Sequence, residues 1–300
     1  MPEDLFSGRS ITIQRMSDDL HLDCAGRRLR LDRPLLMGVL NVTPDSFSDG
    51  GRHRGLERAL AHARGMVAAG ADIIDVGGES TRPGAEPVSL GQELARVIPV
   101  VEALRAELDV TVSVDTSKPA VMRAAVAAGV GMINDVYGFR APGAMDVAAE
   151  SGVAVCVMHM QGEPRSMQLR PYYDDVAGEV RAFLVGQADR LRGLGVTRER
   201  IVLDPGFGFG KTLEHNLALF RALPGLAHLG YPLLVGVSRK SMIGALLGDR
   251  PVGDRLVGSV TAALLAARAG ARILRVHDVR ETADAFAIQR ALGDGLSGEG

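Results

Sequence analysis

The chain has 300 residues, with 34 Lys and Arg against 36 Asp and Glu, giving a formal charge of −2. That balance excludes the net basic footprint of a nucleic-acid surface, and a chain with no Trp and four Tyr has few side chains for base stacking. At 46% apolar and 23% charged it is an ordinary globular chain, long enough to bury a sizeable core.

Two cysteines, Cys24 and Cys156, cannot build a disulfide framework. Met1 to Met16 carries Glu3, Asp4, Arg9 and Arg15 and lacks an apolar run, so no signal peptide is expected. No uncharged apolar stretch reaches ~18 residues. The expectation is a cytoplasmic protein without a membrane span and without a nucleic-acid partner.

In chain order, residues 1–34 form an N-terminal extension in which Ser10–Gln14 and Leu20–Leu31 read as a short β hairpin closing one end of the main domain. Eight apolar runs then succeed one another: Leu35–Val42, Ala71–Gly78, Val110–Thr116, Met132–Val136, Val153–His159, Ile201–Gly206, Pro232–Ser238 and Ala271–His277. Most are continuously apolar, as strands covered on both faces are. Helical stripes lie between them, such as Leu56, Leu60, Ala63 and Val67, or Val176, Val180, Phe183, Leu184, Ala188 and Leu191. Gly70, Gly129, Gly152, Gly195 and Gly270 stand where helices stop before the next strand. Eight strand–helix alternations predict an α/β (β/α)8 TIM barrel over residues 35–293, with a flexible tail at 294–300. A doubly wound sheet would carry a GxGxxG turn, and there is none.

Polar residues end every run. Asn41, Asp75, Asp115, Asn134, His159, Asp204, Ser238 with Arg239 and Lys240, and Arg275 with His277 all fall there. In a barrel these ends converge on one mouth, where active sites sit, so an enzyme is expected. Each residue also has a plainer role open to it. Asp115 is placed either to cap the next helix or to meet a ligand. Asn134 fits a backbone partner as well as a ligand, and His159 fits a core histidine. Gly206–Thr212 looks like a phosphate loop, but GxxxxGK[ST] needs Gly where Pro205 stands. It reads instead as a backbone-hugging loop with two exposed rings, Phe207 and Phe209. No HExxH, cysteine cluster or EF-hand spacing occurs, so a metal would be a hard cation arriving with phosphate oxygens. Asp115, Asn134 and Asp204 suit the donor edge of a flat heterocycle. Arg82, Arg239, Lys240, Arg275 and His277 suit anions.

These motifs resemble the dihydropteroate synthase family of pterin-binding barrels. The resemblance rests on Met37–Gly51 (MGVLNVTPDSFSDGG), Asp75–Gly84 (DVGGESTRPG), Ser113–Pro119 (SVDTSKP), Ile133–Val136 (INDV), Met158–Gly162 (MHMQG), Asp204–Lys211 (DPGFGFGK), Ser238–Gly244 (SRKSMIG) and Arg275–Val279 (RVHDV). It covers about residues 35–280 in family order. It implies condensation of 6-hydroxymethyl-7,8-dihydropterin pyrophosphate with 4-aminobenzoate to 7,8-dihydropteroate and pyrophosphate, in folate biosynthesis. It places Asp115, Asn134, Asp204 and Lys240 on the pterin, with Thr81 among the pterin pyrophosphate contacts. Asn41 falls on a Mg²⁺ contact, and Asn41, Arg275 and His277 on the leaving pyrophosphate. Thr81, Arg82, Pro83 and Ser241 fall around the aminobenzoate, flanked by Phe47 and Phe209. Asp115, Asp204, Lys240, Arg275 and His277 are the residues it implies for catalysis. It also implies a homodimer, sulfonamide competition, and loops at Asn41–Gly51 and Asp75–Gly84 that close over the mouth.

Charge development then suggests a largely dissociative path, in which a neutral arylamine attacks without a strong general base. A methyltetrahydrofolate–corrinoid methyltransferase would share the pterin acceptors but has no need of the Arg275–His277 anion clamp. A silent pterin-binding paralogue and a Schiff-base aldolase using Lys240 are the remaining alternatives. Lys118 and Lys211 are left as loop-positioning residues or simple helix caps.

Overall fold

The computed structural model describes residues 20–42, 51–80, 86–163 and 166–293. Ser10–Gln14, Phe47, Thr81, Arg82, Pro83 and the 294–300 tail lie outside the described residues.

The strands are β1 (His21–Cys24), β2 (Arg27–Arg30), β3 (Leu35–Asn41), β4 (Ile73–Gly77), β5 (Thr111–Asp115), β6 (Met132–Asp135), β7 (Ala154–Met158), β8 (Ile201–Asp204), β9 (Leu234–Val235) and β10 (Ile273–Val276). Strands β3 to β10 form one parallel sheet in the order β8-β7-β6-β5-β4-β3-β10-β9. A parallel bridge between Leu203 and Leu233 joins its two edges, supported by Leu203 N–H donating to Pro232 O at 3.0 Å. The sheet is therefore a closed (β/α)8 TIM barrel. The principal helices that cover it are α1 (Gly51–Ala68), α2 (Leu90–Glu107), α3 (Pro119–Ala127), α4 (Ala144–Glu150), α5 (Val176–Gly193), α6 (Leu213–Arg221), α7 (Leu223–Ala227), α8 (Ser241–Leu246), α9 (Leu256–Arg268) and α10 (Val279–Gly293).

Local signals fix the helix ends. Ser89 Oγ accepts from Gln92 N–H while Gln92 Oε1 accepts from Ser89 N–H, a reciprocal cap on α2. Thr212 and His215 do the same for α6. The helix-stop glycines Gly70, Gly129, Gly152, Gly195 and Gly270 all have positive φ, from 72° to 103°, a conformation that strains residues with a Cβ.

Alternation along the strands makes two cores. Outward side chains such as Leu36, Ile74, Val112, Val114, Ile133, Val155 and Leu203 pack under the helices. Inward ones, Met37, Ile73, Met132, Cys156, Val202 and Ile273, fill the barrel axis. The antiparallel β1–β2 hairpin seals the lower end by adding Leu22, Cys24 and Leu31 to that axial core. Apolar residues thus dominate the lower axis, with Thr111 among them in the Met37–Ile73 tier, and the charged and amide side chains lie in the upper tiers.

Candidate active site

Continuing the inward register upward changes its chemistry. Asn41, Gly77, Asp115 and Asn134 are successive register partners across β3, β4, β5 and β6. Asp75 and Ser113 form the tier below. Asp204 ends β8 beside Met158, and Arg275 on β10 pairs with Met37. Side chains distant in sequence therefore share one mouth. A Cβ on Gly77 would meet Asp115 Cβ at 3.6 Å and Asn41 Oδ1 at 3.8 Å.

Arg275 organises the centre. Its Nε donates to Asp75 Oδ2 at 2.7 Å and its Nη2 to Asp115 Oδ2 at 2.8 Å. Asn134 Nδ2 also donates to Asp75 Oδ2, at 3.2 Å. Asp75 Oδ1 and Asn134 Oδ1 are buried without a hydrogen-bond partner, as is Ser113 Oγ in the Asp75 tier. Burial pushes the Asp115 carboxyl up to about 7 against the pull of Arg275, with Asp75 adding to the rise. Asp204 is raised by burial too, opposed by Lys240 and by the Gly206 N–H. Burial works against the Arg275 charge, but Asp75 and Asp115 more than offset it.

The sequence places Asp75 among the polar residues near the mouth, within the DVGG motif, but assigns it no ligand. Its signal in the sequence is a single carboxylate inside an otherwise apolar strand, Ile73-Ile74-Asp75-Val76. At 0% exposure, such a group needs partners.

The loop after β8 forms the next wall. Phe207 is not exposed, contrary to the sequence expectation. It is fully buried, with its ring centroid 5.8 Å from that of Phe220 on α6. Phe209 is half-buried, with Lys240 Nζ 4.5 Å from its ring centroid. Lys240 also donates to the Phe207 carbonyl. Burial lowers its amine to about 8, opposed by Asp204. His159 is buried, and Lys211 Nζ lies 3.0 Å from its Nδ1.

On the β9–β10 side, His277 Nδ1 lies 3.1 Å from Ser238 Oγ. Arg239 departs from the anion-binding expectation: its Nε donates to Asp278 Oδ2 at 3.0 Å, and its Nη2 pairs with the other Asp278 oxygen. Its positive charge is committed to the start of α10. Ser241, exposed at the start of α8, follows Lys240 directly, and Asn41 is exposed at the rim. Lys118 leaves its α3 N-cap position uncapped by a side chain and bonds Glu79 and Glu93, the latter at 2.6 Å. Asp115, one position after β5's apolar core, faces Arg275 and caps no helix. Among the described residues, Asp115, Asp204, Lys240 and Arg275 interact electrostatically, Asn134 joins them through Asp75, and Lys240 lies against Phe209.

Residues 37–277 match the model of the pterin binding enzyme family. The dihydropteroate synthase of Escherichia coli K12 is 53% identical over 272 residues, covering 91% of this chain and 96% of the relative. The chain belongs to the dihydropteroate synthase family. The Xanthomonas albilineans dihydropteroate synthase solved with 4-aminobenzoic acid superposes with a TM-score of 0.86 at 52% identity, covering 91% of this chain and 98% of that one. The Yersinia pestis dihydropteroate synthase solved with a sulfonamide drug gives the same TM-score and identity, covering 91% and 99%. Among the described residues, no helix is long and apolar enough to cross a membrane.

Proposed function

We propose that this mouth performs the family reaction: 6-hydroxymethyl-7,8-dihydropterin pyrophosphate and 4-aminobenzoate condense to 7,8-dihydropteroate and pyrophosphate. The chain is a transferase of folate biosynthesis. The observation that carries the reading is the pair of buried, unpartnered acceptors, Asp75 Oδ1 and Asn134 Oδ1, beside the Asp115 and Asp204 carboxylates. Unpaired buried acceptors are costly, and the N–H edge of an aminopyrimidinone ring would satisfy them. A ring seated there has Lys240 alongside and Arg275 toward β10.

The substitution is largely dissociative. Departure of pyrophosphate leaves positive charge on the pterin methylene and ring, and Asp115 and Asp204 stabilise it in a site of low dielectric. A guanidinium has five N–H donors. Arg275 uses one on Asp75 and one on Asp115, so it retains donors for the departing anion, with His277 just past the end of β10. The arylamine is neutral at pH 7 and needs no strong base. Phe209 walls the aminobenzoate, and Ser241, at the α8 N-terminus, suits its carboxylate. Thr81, Arg82, Pro83 and Phe47 contribute to that side.

Among the described residues no three His, Cys, Asp or Glu side chains could enclose a metal ion. Asn41, exposed at the rim, would offer one amide oxygen to Mg²⁺ arriving with phosphate oxygens. When bound, the ion supplies charge neutralisation to the leaving group.

The working form is a homodimer in the cytoplasm. Leu246 and Leu247 at the end of α8, Val257 and Leu265 on α9, and Ile288 and Leu292 on α10 are exposed, and a second copy would cover them. The deciding measurement is pyrophosphate release on mixing the protein, Mg²⁺, the pterin pyrophosphate and 4-aminobenzoate. Release that does not depend on aminobenzoate would overturn the assignment.

A further inference from the structure

Lys211 is 3% exposed, and an ammonium at that depth needs a full set of acceptors. An ammonium has three N–H bonds. Here they have three close acceptors: Gly206 O at 2.9 Å, Phe209 O at 3.1 Å and His159 Nδ1 at 3.0 Å. None is left over for a phosphate or a substrate. The bonded groups belong to the Gly206–Gly210 loop and to the end of β7.

The rest of that loop is pinned as thoroughly. Gly206 N–H donates to Asp204 Oδ1 at 2.7 Å and Gly208 N–H to Asn216 Oδ1 at 2.8 Å. Gln168 Nε2 donates to Gly208 O at 2.5 Å and Tyr173 Oη to Gly210 O at 3.0 Å. Gly206, Gly208 and Gly210 have φ of 69°, 79° and 60°, and a Cβ on Gly210 would lie 2.5 Å from Gln161 O. The loop is pressed onto the β7 end, and Lys211 Nζ, its amine lowered by burial to about 7 against the pull of Asp204, gathers its two ends. The loop's outward products are the Phe209 ring and the Phe207 carbonyl, the two groups that hold Lys240.

We infer that Lys211 is a positioning residue for the transfer reaction: by clamping the Gly206 and Phe209 carbonyls against His159, it sets the Phe209 wall of the aminobenzoate site and the resting place of the Lys240 ammonium. This rests on the proposed function, yet it can fail separately. Misplacing a substrate-positioning group by about 1 Å costs as much as 10²-fold. In Lys211→Met the KM for 4-aminobenzoate should rise by about tenfold or more, while kcat falls proportionately less. A lysine that only supports the fold would lower the melting temperature and the active fraction and leave that KM at the wild-type value; this result overturns the inference. Should Lys211→Met fail to fold, Lys211→Arg keeps the charge but cannot bring one nitrogen against Gly206 O, Phe209 O and His159 Nδ1 together. It should raise the same KM, and an unchanged KM in folded Lys211→Arg also overturns the inference. Wild-type protein without aminobenzoate-dependent pyrophosphate release refutes the functional assignment instead.

Discussion

Arg275 reaches across the barrel axis to Asp115, donating through Nη2 at 2.8 Å while its Nε holds Asp75. One guanidinium shared by two carboxylates leaves a surplus of acceptor charge in a buried place. That arrangement favours a ligand that becomes positive as it reacts. Replacing Asp115 by Asn keeps its shape and removes its charge. In Asp115→Asn, kcat should fall by about 10²-fold or more, with a much smaller change in the Kd for pyrophosphate measured calorimetrically. A kcat equal to wild type would remove Asp115 from charge stabilisation.

Asp75 carries a different expectation, because it is fully buried and takes both Arg275 Nε and Asn134 Nδ2 on one oxygen. Breaking one side of a buried ion pair costs about 3–5 kcal/mol, since the remaining charge loses its partner. Asp115 still holds Arg275, so Asp75→Leu should lie toward the lower end of that range in urea denaturation. The double variant Asp75→Leu with Arg275→Met should regain part of the loss. Strictly additive losses would show that the pair is not energetically coupled.

The strands were legible in the sequence because each is a short apolar run followed by a polar residue, and the inward register carried that polar residue to the mouth. What escaped was partnership. Asp75 was legible as a polar residue near the end of its run, but its role was not, because its partner Arg275 lies 200 residues later on β10. Arg239 and Lys240 are adjacent cations. Only the φ of 59° at Arg239 and the position of Asp278 separate a surface ion pair from a mouth ammonium. Phe207 and Phe209 share a pattern of two, and the turn between them sends one ring under α6 and the other to the site. Such divisions depend on three-dimensional neighbours that no local spacing encodes.

That last division gives a paired test. Phe207 is fully buried against Phe220, and Phe→Ala in a packed core costs about 3–5 kcal/mol. Phe207→Ala should therefore lose stability of that order in thermal or urea unfolding. Phe209→Ala, whose ring is only half-buried against Met158, Met160 and Met167, should lose clearly less stability and show a raised KM for 4-aminobenzoate. Equal stability losses in the two variants would contradict the assignment of one ring to the core and the other to the site.

Lys240 contributes to the alkaline side of the pH dependence. Burial brings its amine down to about 8, with Asp204 opposing the fall, so it loses its proton as pH rises through about 8. The value of kcat/KM for the pterin pyrophosphate reports groups of the free enzyme and should decline on that alkaline side. In Lys240→Arg the guanidinium stays charged, and the decline should move to higher pH even where the absolute rate is lower. Stability moves the other way. Folding lowers this amine from 10.5, so between about 8 and 10.5 the unfolded chain binds more protons than the native one. The contribution of Lys240 to unfolding free energy therefore becomes more favourable with rising pH across that window. Lys240→Met should remove this part of the slope in pH-dependent urea titrations, and an unchanged slope would show that the amine titrates at its ordinary value.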